Sequence, residues 1–362
     1  MSLRSGNPPI DVGIAHRFLR RVYGHADQIA TLTRGTRRGL RRFAVPDAIA
    51  AMPALLRAKR PLPGASVQRP VTLARRVAAA APNIGLRQIL ESDIPAVARL
   101  LARGFRDRTE GFWHGFLDCL ERRDTPAGLP KFGYLLEADG AAVGALLLIF
   151  SRPRGDDGIR CNVSSWYVEQ KFRSYASLMV ARALRDKDVT YVNVTPSPHT
   201  LPIVQAQGYT QYSRGTFVAA PLLQPGRGHG KFVTAGGRAP TGACRSDQKI
   251  LAEHAKFGCI GFWCESAERA YPFVFRPRLV KGVVPCAQLV YCDGLDSFVR
   301  FAGPIGRFLA GRGRPVILID SNGAIPGVVG TYLDGKMPKF FKGPDRPRLG
   351  DLAYTEVAMF GV

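Results

Sequence analysis

From Ile84 onward the chain alternates between short strand-patterned runs and stretches with helical spacing. Ile84 to Ile89 alternates and predicts a strand. Ile94, Val97, Leu100 and Leu101 recur at three- and four-residue steps, marking one face of a helix. Ser92 serves as its N-cap, with Asp93 in the first turn and Pro95 beside it. A second helical stretch runs around Phe112 to Leu120. Gly133 to Ala138 and Ala142 to Phe150 then predict two strands joined through Asp139-Gly140, the residue pair that suits a two-residue hairpin turn.

The pattern continues with a strand over Asn162 to Val168, a basic loop over Lys171 to Tyr175 and a helix over Ala176 to Leu184. A β-branched strand from Val189 to Val194 leads through the turn Thr195 to Pro198 into a short helix ending at Gly208. Another strand runs to about Ala219. Gly, Pro and Arg dominate from Pro221 to Ala243, which reads as a linker. Beyond it, Ala287 to Tyr291, Pro315 to Asp320 and Asp351 to Phe360 read as strands, and Ser297 to Ala310 as a helix. The expected organisation is therefore an N-terminal arm (1–83), a first α/β domain (84–220), a linker (221–247) and a second α/β domain (248–362).

Charge changes the picture of the arm. The chain of 362 residues carries a formal net charge of +23. Residues 1–83 hold 15 Lys/Arg against 3 Asp/Glu, a net of +12, which leaves only +11 for the other 279 residues. Ile14, Phe18 and Val22 recur every fourth residue between Arg17, Arg20 and Arg21, as in a short basic amphipathic helix. Such an arm suits an anionic membrane, a nucleic acid or an acidic partner, or else packs on its own protein with its arginines in water. The N-terminal stretch has no continuous apolar core of the secretory kind, and the longest apolar run, Ala141 to Phe150, is about half a membrane span. A cytoplasmic protein is expected. The seven cysteines are odd in number, scattered and without a Cys-x-x-Cys pair. They read as buried free thiols, and no metal is expected.

The order strand, helix, helix, hairpin, strand, loop, helix, strand, helix, strand over Ile84 to Ala219 resembles the GNAT (Gcn5-related N-acetyltransferase) superfamily. The run Ser164-Ser165-Trp166-Tyr167-Val168-Glu169-Gln170-Lys171-Phe172-Arg173-Ser174-Tyr175-Ala176 and the later Gly208-Tyr209 carry the resemblance. It implies an α/β (α+β) fold with a mixed, mostly antiparallel sheet flanked by helices. It also implies a soluble acyltransferase that uses acetyl-CoA or a longer acyl-CoA as co-substrate and an amine as acceptor. By this resemblance Trp166, Tyr167 and Val168 would face the pantetheine arm, and Lys171, Phe172, Arg173, Ser174, Tyr175 and Ala176 the pyrophosphate. The sequence departs from the family where glycines are usual, with Ala176 and Leu178 in their place, and Val204 stands where the family often has a Tyr.

The phosphate expectation also follows from chemistry. A turn running into a helix N-terminus presents unpaired N–H groups and the positive end of the helix dipole, and Lys171 and Arg173 add charge there. Transfer to an amine needs a base, for which Glu169 at the strand end is the first candidate, with a solvated strand-end carboxylate as the alternative role. Tyr175, Tyr209 and His199 are candidates for the acid. Ser164 and Ser165 alternate, one toward an acyl pocket and one toward the core.

The C-terminal part reads as a faded repeat of the first, since Val290-Tyr291-Cys292-Asp293 lines up with Trp166-Tyr167-Val168-Glu169 ahead of a similar helix. Two tandem GNAT-like halves are expected, the first (84–220) binding acyl-CoA and the second (248–362) degenerate; only one need bind CoA, and Gly303 and Gly306 in the second helix region leave that half open as the binding one. Lys336, Lys339, Lys342, Arg346 and Arg348, interleaved with Phe340 and Phe341, read as a solvated loop, or alternatively as an acceptor surface. Tyr354 and Glu356 would share one face of the last strand, most simply an exposed one. A non-catalytic scaffold whose basic arm carries the function is the competing reading. The acceptor amine is unidentified, and the sequence leaves a homo-oligomer open.

Overall fold

The computed structural model describes residues 82–152, 158–223, 231–234 and 239–361. The basic arm lies outside them. Twelve strands form one sheet in the order β1-β2-β3-β4-β5-β12-β6-β11-β10-β9-β8-β7. In the first half, β1 (Ile84–Gln88), β2 (Gly133–Ala138), β3 (Ala141–Ser151) and β4 (Ile159–Val168) pair antiparallel in turn, and β5 (Val189–Asn193) is parallel to β4. In the second half, β7 (Lys231–Thr234), β8 (Ile260–Glu265), β9 (Ala270–Val280) and β10 (Val284–Cys292) do the same, and β11 (Val316–Ser321) is parallel to β10.

At the centre the halves exchange their last strands. β12 (Gly330–Lys342), from the second half, lies between β5 and β6, while β6 (Thr210–Ala219), from the first, lies between β12 and β11. The strand order and the sense of every pairing therefore repeat about the β12–β6 pair.

Helices cover both faces. α1 (Ile94–Gly104) and α2 (Glu110–Glu121) bury the apolar stripes seen in the sequence, Val97, Leu100 and Leu101 on one and Trp113, Phe116, Leu117 and Leu120 on the other. They pack with Leu135, Ala145, Leu147 and Ile149 on one face of β2–β3. Thr109 caps α2 by accepting from the Phe112 N–H. α3 (Ala176–Ala183) and α4 (Leu201–Ala206) lie against the opposite face, in a core with Leu136, Leu146, Leu148 and Val204. α5 (Arg245–Lys256) and α6 (Leu295–Ala310) cover the two faces of the second half. α7 (Glu356–Phe360) returns to the first half, where the Phe360 ring stacks on Phe116 at 3.6 Å between centroids.

Several expectations change. The start of α1 is capped differently. A 3-10 turn over Glu91–Asp93 precedes the helix, and Asp93, not Ser92, is the N-cap. The Asp93 carboxylate accepts from Arg87, which chiefly holds it below its ordinary pKa, and also from the Leu90 N–H. The segment expected as a linker contains β7. Asp351 to Phe360 is not a strand: it makes a single bridge, Tyr291 to Asp351, and then forms α7. The Lys336–Lys342 region is not a solvated loop, since it forms the end of β12. Lys339 is wholly buried there, 2.8 Å from Asp320 on β11, which is 4% exposed. Burying a charge is tolerated only against an opposite one, and the strand exchange brings the two together. Asp139 and Gly140 do form the expected hairpin turn, both with positive φ (49° and 78°).

Candidate functional site

β4 pairs with β5 only from Ile159 to Asn162, after which the two strands part. The cause lies in the register with β3. Leu146 faces Trp166 while Leu148 faces Val163, so β4 carries one extra residue across that interval. A bulge of this kind bends the strand and breaks its pairing. Val163 to Val168 consequently have no partner strand on the β5 side.

A cavity of about 270 Å³ occupies the gap. Val163, Ser164, Ser165 and Trp166 all line it. Consecutive strand residues point to opposite faces, so four in a row can line one cavity only if it passes the strand's free edge. The remaining walls agree, because Phe112, Trp113 and Phe116 come from one face of the sheet and Val180, Ile203 and Val204 from the other. The cleft thus runs through the sheet and opens a route from either side.

Glu356 enters this cleft from the C-terminal segment. It is 4% exposed. Its carboxylate accepts from the Ser164 and Thr195 hydroxyls, and its backbone N–H donates to Asn162 Oδ1 at 2.8 Å. Burial pushes its pKa above the ordinary carboxylate value, and the two hydroxyl donors offset only part of that. Tyr209 also lines the cleft, and burial raises its phenol well above the usual value, so it is protonated at neutral pH. The indole N–H groups of Trp113 and Trp166 are buried without a hydrogen-bond partner among the described residues. Buried donors are rarely left unpaired, and these two belong to residues that line the cleft.

The predicted phosphate loop follows directly from the free edge of β4. Gln170–Tyr175 forms a 3-10 turn that runs into α3. Lys171, Arg173 and Ser174 are exposed on it, while Phe172, Tyr175 and Ala176 are half-buried against the core under α3. Trp166, Tyr167 and Val168 lie on the unpaired stretch of β4. The Tyr167 ring packs where Gly104 ends α1, so close that a Cβ on Gly104 would lie 2.4 Å from it.

None of the three predicted catalytic residues is among those lining the cleft. Glu169 forms an ion pair with Arg103 at 2.8 Å beyond the end of β4. Tyr175 closes the 3-10 turn, and His199 is exposed while its neighbours Ser197 and Thr200 face the cleft. Sequence reasoning gave Glu356 an exposed strand face. It missed Thr195 and Trp113 because the elements holding them meet only in the fold.

The second half repeats the divergence but not the opening. β10 pairs with β11 only from Cys286 to Gln288 and bulges between Leu289 and Tyr291. Here the chain's own tail fills the gap, with Leu352 N–H donating to Val290 O at 2.7 Å and Cys292 N–H to Gly350 O at 3.0 Å. Gly350 has φ +76°, and a Cβ on it would lie 2.8 Å from Cys292 Sγ. Gly306 is equally committed, lying against the backbone of Pro221 and Leu222. Past the plug, Arg160 binds Asp351 at 3.2 Å and Ala353 O at 2.8 Å. His254 donates from Nδ1 to Ile250 O at 2.7 Å and accepts the Tyr354 N–H on Nε2 at 3.0 Å. These contacts aim the tail at the first half's cleft.

No family model matches the chain, and no curated protein matches it. Among solved structures it is similar to a putative acetyltransferase from Pyrococcus horikoshii, with 12% identity and a TM-score of 0.44 over 75% of this chain and 93% of that one. It is also similar to a GCN5-related N-acetyltransferase from Anabaena variabilis, with 10% identity and a TM-score of 0.47 over 72% of each chain. A third is Eis1 from Mycobacterium abscessus, with 13% identity and a TM-score of 0.42 over 75% and 74%. Each is a likeness of fold at low identity, and nothing about substrate follows from it. Among the described residues no helix is long and apolar enough to cross a membrane.

Proposed function

We propose that the chain is a CoA-dependent N-acyltransferase that moves an acetyl or longer acyl group from acyl-CoA to an amine by direct attack. The observation that carries this reading is the cleft through the sheet at the β4–β5 divergence, with a buried carboxylate in it. The free edge of β4 at Trp166, Tyr167 and Val168 suits an extended amide-bearing arm, which can pair with it as an added strand does. Lys171, Arg173 and Ser174 are exposed beside the α3 N-terminus, where a pyrophosphate is favoured, with Phe172, Tyr175 and Ala176 shaping the turn. The residues present therefore fit the co-substrate, which supplies an activated thioester carbonyl.

The chain's own groups supply the rest. Glu356 accepts the proton of the attacking amine. Its raised pKa makes it a stronger base than a solvated carboxylate, and the Ser164 and Thr195 hydroxyls fix its position. The proton that Glu356 takes from the amine is the one returned to the departing thiolate, and Tyr209, which stays protonated, donates a hydrogen bond to that sulfur. The Trp113 and Trp166 N–H groups are donors available to a carbonyl oxygen in the cleft. We assign Glu169, held by Arg103, to ordering the turn after β4. One acyl-CoA binds per chain, in the first half, because the tail occupies the matching edge of β10.

The test is calorimetric titration with acetyl-CoA and a longer acyl-CoA, followed by thiol release against a panel of amines. Saturable binding with amine-dependent thiol release supports the enzyme. Binding without release from any amine would leave the non-catalytic scaffold, whose basic arm meets nucleic acid or an anionic membrane. Absence of binding would overturn the site.

A further inference from the structure

A second cavity, about 580 Å³, lies between the C-terminal end of α2 and the outer face of α5. Arg122, Arg123 and Arg152 line it on one side and Lys249 and Lys256 on the other, against two carboxylates among the described residues, Asp124 and Glu253. Glu253 is already engaged, accepting from the Tyr354 hydroxyl at 2.5 Å and lying 3.8 Å from Lys249.

Arg123 is the informative group. Its guanidinium donates to Phe150 O at 3.3 Å and sits 5.3 Å from the centre of the Tyr354 ring. Among the described residues it forms no ion pair. Burial pulls its pKa down, although Tyr354, Cys119 and Glu253 counter part of the effect. Glu253 and Asp124 act on it only at a distance, and a largely buried cation without a carboxylate in direct contact is costly unless something else supplies the charge. A fold that keeps this arginine at a roomy, cation-rich cavity is arranged to receive an anion from solution.

The size of the cavity is that of a small-molecule site. Phe257, Tyr354 and Pro126 add flat apolar wall to the charged lining. It is separate from the acyl-CoA turn. Ser151, in its lining, pairs with Arg160 at the start of β4, whereas the turn follows the far end at Val168. Those ends are roughly 26 Å apart at about 3.3 Å per residue.

We propose that this cavity binds a phosphate-bearing small molecule of nucleotide size, gripped by Arg123, Lys249 and Lys256. The occupant would share a wall, Tyr354, with the tail that carries Glu356 two residues later.

The experiment is calorimetric titration of the full chain with inorganic pyrophosphate and with ATP, at low and at raised salt, with and without saturating CoA. The comparison variant is Lys249→Gln/Lys256→Gln, whose side chains are on the surface of α5, with circular dichroism and a thermal melt to verify folding. Arg123→Gln is a second variant. The expected result is saturable binding of one probe per chain, weakening with salt and persisting with CoA bound. Affinity should fall at least about tenfold in the double variant, as loss of two charge-assisted contacts implies, while CoA affinity stays unchanged. Absence of saturable binding by both probes, equal binding by the double variant, or displacement of the probe by CoA would each overturn the proposal.

Discussion

Replacing Glu356 with Gln separates chemistry from architecture at the cleft. Ser164 and Thr195 hold both carboxylate oxygens, and the backbone is held by Asn162, so an amide of the same shape keeps its place. What it loses is basicity. General-base catalysis contributes about 10²- to 10⁴-fold, or roughly 3–5 kcal/mol of barrier, so kcat should fall by that factor while acyl-CoA affinity stays within about twofold. Stability should move the other way. The folded pKa of Glu356 is raised above its ordinary 4.5 by burial, so the folded state holds the proton more tightly than the unfolded one. Wild type therefore loses stability as pH rises through the interval above 4.5, and Glu356→Gln does not. Glu356→Ala differs again, because it strands two hydroxyls at about 1–3 kcal/mol each, roughly 2–6 kcal/mol in all. The assay is thiol release with an accepted amine, run alongside urea melts at pH 5 and pH 8. If Glu356→Gln retains more than about a third of wild-type kcat, or melts with the same pH dependence as wild type, Glu356 is not the base described.

Other outcomes follow from the same geometry. Lys171→Ala/Arg173→Ala should weaken acetyl-CoA binding at least tenfold, on the order of 1.4 kcal/mol or more, and flatten its salt dependence, as calorimetry at two salt concentrations would register. Lys339→Met alone should cost about 3–5 kcal/mol by stranding Asp320, whereas Lys339→Met/Asp320→Leu should lie close to wild type in a urea melt. His254 is held neutral by burial, with its pKa lowered from 6.5 to about 4. The unfolded state binds that proton first as pH falls, so stability should drop by about 3 kcal/mol between pH 7 and pH 4, and urea midpoints for His254→Gln should show a shallower slope. Gly350→Ala should cost at least about 1–2 kcal/mol by forcing a Cβ into a left-handed backbone against Cys292, measured by thermal melt.

How much was legible depends on how local the cause is. The Phe112–Leu120 helix, the Gly133–Ala138 strand and the Asp139-Gly140 turn were readable because periodicity and turn chemistry act over a few residues. β8 and β9 had no such signal. Their apolar runs are interrupted by Pro272, Arg276, Pro277 and Arg278, and their identity as strands comes from pairing with each other and with β10. Lys339 reads as a surface lysine among Lys336, Lys342 and Arg346 until Asp320 is placed beside it by β11. Glu356 shows the same limit at the site, since Asn162, Ser164 and Thr195 lie 161 to 194 residues away along the chain. The loop residues Lys171 and Arg173 were easier to place, because a strand end, a turn and a helix start are consecutive in sequence.

The exchange of β6 and β12 also sets a timetable for synthesis. β6 is complete at Ala219, but its neighbours β11 and β12 end at Ser321 and Lys342. At about 5–20 residues per second the ribosome needs roughly 6–25 s to make that intervening chain. Through that interval β5 and β6 have open edges, and Glu356 has not been made. In the nascent first half those edges are open to non-native strand pairing, and its cleft lacks the Glu356 carboxylate. Glu356 follows both exchanged strands in the chain, so the cleft receives its carboxylate only after the two halves have been made.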